Sequence, residues 1–110
     1  MENINFADFQ KLDIRVGEIK FAEEVQGADK IYKLIVAIGG EERILVAGIK
    51  QYYPKEYLPG KKVLVLANLE PKVIRGIESH GMILCAHTED RSVLAFTTVE
   101  KDIPSGAIVS

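Results

Sequence analysis

From Leu12 to Thr98 the apolar residues fall in short runs with a largely two-residue period, and glycine or proline punctuates the intervals. That rhythm excludes long amphipathic helices, whose apolar positions recur at three and four, and predicts short strands joined by tight turns. Leu12, Ile14 and Val16 share one parity, and Ile19 and Phe21 take up the other, with Gly17 at the slip. A glycine at a parity change predicts a β-bulge there, which coils a strand strongly enough to begin a small barrel.

Ile31 to Ile38 reads as the second strand and Arg43 to Ile49 as the third, joined through Gly39-Gly40-Glu41-Glu42 as an antiparallel hairpin. Lys61 to Ala67 is the fourth. Its continuous run Val63 to Ala67 predicts burial on both faces and falls far short of the roughly 20 apolar residues that a membrane-spanning helix needs. Met82 to His87 and Val93 to Thr98 predict a further hairpin around Thr88 to Ser92, and Ile103 to Val109 a turn and a terminal strand. Two helical inserts are expected: Asn5 caps a turn or two over Phe6 to Gln10, with Phe6 and Phe9 as a lid on the core, and Pro54 starts a single turn within Tyr52 to Leu58. Pro71 to Gly81 reads as irregular. The sum is an all-β fold, with a five-stranded OB-fold barrel, short helical inserts and a C-terminal strand extension as the leading expectation. An SH3-like barrel or an open sandwich would give the same periodicity.

A length of 110 residues with 47% apolar and 27% charged side chains suits one compact domain over residues 1–110. Met1-Glu2-Asn3 is acidic where an export signal is basic, so a cytoplasmic location is expected. The formal net charge of −2 argues against indiscriminate polyanion binding, but the charge is uneven. Residues 43–75 carry Arg43, Lys50, Lys55, Lys61, Lys62, Lys72 and Arg75 against only Glu56 and Glu70, while both flanks are acidic. Such an island is as compatible with solvated turns as with an anion site.

Enzymatic readings find no constellation. No phosphate-binding glycine loop, nucleophile elbow or H-E-x-x-H string occurs. His80, His87 and Cys85 lack a carboxylate at ligand spacing, and Cys85 between Leu84 and Ala86 reads as a small core residue. No catalytic residue, metal or cofactor is expected.

The segment Asn68 to Met82 is different. It presents Asn68, Lys72, Arg75 and Ser79 among two glycines and a proline, which together offer an amide, two cations and a hydroxyl for phosphate and sugar. The plainer reading is a barrel corner in which Ser79 satisfies local backbone.

At this point the sequence resembles the tRNA-binding domain family, found at the C-terminus of methionyl-tRNA synthetases, as their β subunit, and as free tRNA-binding proteins. Five ordered blocks carry the resemblance: Phe9 to Gly17 (F-Q-K-L-D-I-R-V-G), Ala28 to Leu34, Arg43 to Ile49, Gly60 to Val63, and Asn68-Leu69-Glu70-Pro71 through Arg75-Gly76-Ile77-Glu78-Ser79-His80-Gly81-Met82. The resemblance implies an OB-fold that grips the outer corner of tRNA by shape and docks it for a synthetase. It implies tRNA as partner, the methionyl-tRNA synthetase catalytic subunit as a second one, and a homodimer formed through the terminal segments, Ile4 to Phe9 and Ile103 to Val109. Carried over by position, the implied tRNA contacts are Lys33, Arg43, Asn68, Arg75, Ser79 and Met82, with Lys72 and His80 beside them. One departure stands out: the family usually has a basic residue where this chain has Val73, and here the cation sits at Lys72, on the other face of an extended segment. Related chaperone-like barrels that bind polypeptides are the competing class, and they lack the Arg-Gly-Ile-Glu-Ser-x-Gly-Met string.

Overall fold

The computed structural model describes residues 1–110. β1 (Ile14–Glu24) is the organising strand. Its later half pairs antiparallel with β2 (Tyr32–Ile38), and its earlier half pairs on the opposite edge with β4 (Lys62–Leu66), in register Ile14↔Leu66 through Glu18↔Lys62. A strand shared in this staggered way must curl. β2 continues to β3 (Glu41–Ala47) through the expected Gly39-Gly40 turn, in which Gly39 takes φ 65°. β4 continues to β7 (Met82–Ile83), giving the order β3-β2-β1-β4-β7, the five strands of a curled OB-like barrel. The terminal strand β10 (Ile108–Val109) adds to the start of β1, as the tail predicted.

The barrel interior is one cluster built from the alternating positions of these strands: Ile19, Leu34, Val36, Leu45, Val63 and Val65 are fully buried, with Leu58 beneath the 3₁₀ turn Lys55–Tyr57. Pro54 caps that turn from outside. β4 bears out the continuous apolar run in graded form, since Val63 and Val65 are wholly buried and Leu64 and Leu66 half-buried.

Four details of the sequence reading change. The register break in β1 lies between Ile19 and Phe21, not at Gly17. Gly17 answers a packing need instead: a Cβ there would stand 2.6 Å from Val36 Cγ1 and 3.1 Å from Val65 Cγ2, where two strands press on β1. α1 (Phe6–Phe9), capped by Asn5 Oδ1 accepting from Asp8 N–H at 2.8 Å, is no lid. Phe6 is 69% exposed and stacks on Phe9 outside the core. Met82 to His87 is two strands, because β7 pairs with β4 whereas β8 (Cys85–His87) leaves to pair with β9 (Leu94–Phe96). Lastly, Pro71 to Gly81 is ordered as a β-hairpin, β5 (Lys72–Ile74) and β6 (Ile77–Ser79).

Candidate nucleic-acid interface

The β5–β6 hairpin turns through Arg75-Gly76, with φ of 52° and 78°. Positive φ at both central residues is the type I′ turn that matches strand twist, and Gly76 supplies its second position at no steric cost. Ile74 pairs with Ile77 and Lys72 with Ser79, so these four share one face, while Val73 and Glu78 share the other. Val73 is 66% exposed. The displaced cation Lys72 therefore projects on the opposite side of β5 from Val73.

Four candidate residues bind this hairpin and its neighbours to the barrel. Ser79, 5% exposed, accepts the Val46 N–H at 2.9 Å through Oγ and donates to the Gly81 carbonyl at 3.2 Å. Beside it the His80 N–H donates to the Ile44 carbonyl at 2.9 Å, so the residues joining β6 to β7 close the barrel against β3. Asn68 spans to the start of β1: Oδ1 accepts from Asp13 N–H at 2.9 Å and Nδ2 donates to the Lys11 carbonyl at 2.6 Å. Arg43, half-buried, pairs with Glu41 and donates through Nη1 to the Ala67 carbonyl at 2.5 Å and the His80 carbonyl at 3.4 Å. Arg43, Asn68, Ser79 and His80 thus converge on one corner, where backbone engages the side chains of Asn68 and Ser79 and Nη1 of Arg43.

The other candidates are less committed. Lys33, cross-strand from Val46, lies 3.7 Å from Glu23, and the His80 ring Nε2 is 3.2 Å from Glu78. Met82 is exposed on β7. Lys72 and Arg75 are exposed and make no ion pair or side-chain hydrogen bond within hydrogen-bonding distance.

Several cations of the basic island are already engaged within the fold. Lys50 is taken by Glu24 at 2.8 Å and the Ala28 carbonyl at 3.1 Å. Lys62 is held by Asp102 at 3.3 Å and the Ile103 carbonyl at 2.6 Å, and Lys61 lies 4.2 Å from the Tyr57 ring centroid. With Arg43 paired to Glu41, three of the island's seven cations are bonded into the fold by carboxylates and carbonyls.

Beside the hairpin runs a groove of about 480 Å³, between β3, the β5–β6 hairpin and the base of the β8–β9 hairpin. Lys72, Ile74, Met82, Ile83, Leu94 and Arg91 are among its lining residues, and Glu70 is its one carboxylate. Arg91 lies in what the sequence reads as a plain hairpin loop, and no spacing rule points from there to the groove. Burial pushes the Cys85 thiol up from its ordinary value, against the opposing pull of Arg91, so it carries no activated thiolate. No helix is long and apolar enough to cross a membrane.

Comparison with known proteins finds one matching family and solved structures of two kinds. The profile of the family described as "Putative tRNA binding domain" matches residues 14–108. The chain is 44% identical to the methionine–tRNA ligase of Caldanaerobacter subterraneus subsp. tengcongensis over 110 residues, all of this chain but 17% of that protein. It therefore spans about a sixth of the curated relatives it matches. The crystal structure of a MetRS related protein from Pyrococcus horikoshii superposes with a TM-score of 0.93 at 41% identity, covering 100% of both chains. The chaperone CsaA from Bacillus anthracis superposes with a TM-score of 0.89 at 26% identity, covering 99% of this chain and 100% of that one.

Proposed function

Because the chain belongs to the tRNA-binding domain family, a family of non-catalytic domains that recurs within methionine–tRNA ligases, we propose that it is a structure-selective tRNA-docking module without catalysis of its own. It holds the outer corner of the tRNA L by shape, in trans or as an appendage of methionyl-tRNA synthetase, and so raises the local concentration of tRNA at the catalytic unit. Residues 1–110 act as one cytoplasmic unit, paired as a homodimer through exposed apolar side chains of the terminal segments, Ile4, Phe6 and Ile108.

The observation that carries this reading is Arg75. An exposed arginine occupies a left-handed turn position that Gly, Asn or Asp would fill at lower cost, and no carboxylate of the fold offsets it. Strain kept where nothing in the fold repays it marks a residue held for a ligand. Lys72 supplies a second cation on the same hairpin, and guanidinium and ammonium are phosphate ligands. Arg43, Asn68 and Ser79, chosen from the sequence as contacts, act in this reading mainly by fixing the hairpin to the barrel. His80, Lys33 and Met82 border the contact surface.

The test is a binding titration against folded tRNA, heat-unfolded tRNA and duplex DNA of equal charge. Preference for folded tRNA supports the module, and equal affinity for all three overturns it. A second reading, a polypeptide-binding barrel, has one specific observation in its favour: the largely apolar lining of the groove in a fold shared with a chaperone. Retention of an unfolded polypeptide with no retention of tRNA would establish that reading in place of the first.

A further inference from the structure

Two residues other than glycine adopt positive φ in this chain, and both are arginines at hairpin tips: Arg75 at 52° and Arg91 at 58°. The other two arginines are bonded into the fold, Arg15 to Asp13 and the Gly106 carbonyl, Arg43 to Glu41 and the Ala67 carbonyl. Neither left-handed arginine has a carboxylate partner.

At Arg91 the reason is local. The neighbouring Asp90 carboxylate is occupied inside its own turn, accepting from Ser92 N–H at 3.0 Å, Ser92 Oγ at 2.8 Å and Thr88 Oγ1 at 2.9 Å. The Arg91 backbone is pinned at both ends, its N–H donating to the Thr88 carbonyl at 3.0 Å and its carbonyl accepting from the Tyr52 hydroxyl at 2.7 Å. The side chain is aimed by His87. That ring's Nδ1 is 2.8 Å from the Thr88 carbonyl, which requires a proton on Nδ1 and leaves Nε2 as acceptor for Arg91 Nη2 at 3.4 Å. A guanidinium with one Nη on an imidazole nitrogen keeps its full charge and most of its donors.

We propose that Arg91, positioned by His87, is a second phosphate contact of the bound RNA, in the groove that Lys72 also lines. The inference rests on the tRNA-binding reading and extends it to the β8–β9 hairpin, outside every block that carries the family resemblance. The groove's composition sets the chemistry. Its lining brings Lys72 and Arg91 together with one carboxylate, Glu70, and no Phe, Tyr or Trp lines it to stack a base. An RNA backbone laid across the groove is thus gripped from both hairpins without its bases being read, as shape recognition requires.

The experiment measures binding of a folded tRNA transcript against KCl concentration for the wild type, Arg91→Gly, Arg91→Lys, His87→Ala, Arg75→Gly and, as a control cation on β1, Lys20→Ala. Glycine suits the backbone at position 91, and urea midpoints confirm that each variant folds. Arg91→Gly is expected to bind about tenfold more weakly at 0.1 M salt with the log–log salt slope reduced by about one, the signature of one lost phosphate contact. Arg91→Lys recovers the slope. His87→Ala weakens binding with the slope unchanged, because the charge remains and only its aim is lost. Wild-type affinity and slope in a folded Arg91→Gly, alongside a weakened Arg75→Gly, overturn this contact and leave the tRNA-docking reading intact. Absence of salt-dependent tRNA binding by the wild type overturns both.

Discussion

Ser79 continues the edge of β3 with a side chain where a strand would use backbone: its Oγ takes the Val46 N–H at 2.9 Å and passes its own proton to the Gly81 carbonyl at 3.2 Å. This hydroxyl joins the β5–β6 hairpin to the barrel, so the hairpin is braced at its base and free at its tip. Ser79→Ala strands the Val46 donor in a largely dry site. A loss of about 1–3 kcal/mol is expected, read as a lowered urea midpoint, and an unchanged midpoint would show that water replaces the hydroxyl.

Arg75→Gly separates function from stability by sign. Glycine removes the left-handed penalty of an L side chain, about 1 kcal/mol, offset in part by the greater freedom of glycine in the unfolded chain. Denaturant stability should stay level or rise while tRNA affinity falls about tenfold at 0.1 M salt. A parallel loss of both would mean that Arg75 serves the fold.

The strands and their pairing were legible because burial imposes a period of two on Tyr32–Ile38, Glu41–Ala47 and Lys62–Leu66. The β5–β6 hairpin was not, since three-residue strands bounded by Pro71 and Gly81 carry too few positions to show a period, and Arg75 hides an I′ turn behind a residue that turn disfavours. Residue type marked Asn68, Arg43 and Ser79 as polar groups worth attention. It does not say whether a polar group faces a ligand or a backbone more than 20 residues away, as all three do here through Lys11, Ala67 and Val46. The pairing of Lys50 and Lys62 with Glu24 and Asp102 is equally nonlocal, so charge counting along the chain does not tell which cations are engaged within the fold.

Gly17 sits where Val36 and Val65 converge on β1. Gly17→Ala would press a methyl to within 2.6 Å of a valine whose branched side chain is fully buried and stiff. The expected cost is about 1–3 kcal/mol of unfolding free energy. Combining it with Val36→Ala should restore part of that loss, a non-additivity that a denaturant cycle measures directly.

The Glu24–Lys50 pair links the end of β1 to the loop after β3. The hydrogen bond from Lys50 holds the Glu24 carboxyl below its ordinary value of 4.5 and, reciprocally, raises the Lys50 ammonium. Glu24 therefore contributes stability that is present above pH 4.5 and is lost as pH falls through its lowered folded value, where the unfolded chain takes up the proton first. The raised Lys50 value works at the other end, its contribution present below pH 10.5 and fading only above that. Lys50→Gln should flatten the acid limb of a stability–pH curve, and an unaltered limb would show that solvent screening cancels the pair.

The proposed homodimer makes a prediction about the chain ends. β10 lies beside the start of β1, Ile108 opposite Arg15, and Ile108 is 69% exposed although it belongs to a strand. Ile4, Phe6 and Leu12 are likewise exposed in the segment that leads into β1. A stable homodimer buries about 800 Å² per partner with an apolar centre, and these side chains are suitable material for one. Sedimentation at tens of micromolar should give the mass of two chains for the wild type. Phe6→Asp combined with Ile108→Lys, both at exposed positions that the core does not need, should give a folded monomer whose affinity for tRNA falls, because two linked contact surfaces become one. A monomeric wild type would dismiss the dimer, and a double variant that stays dimeric would move the interface elsewhere on the barrel.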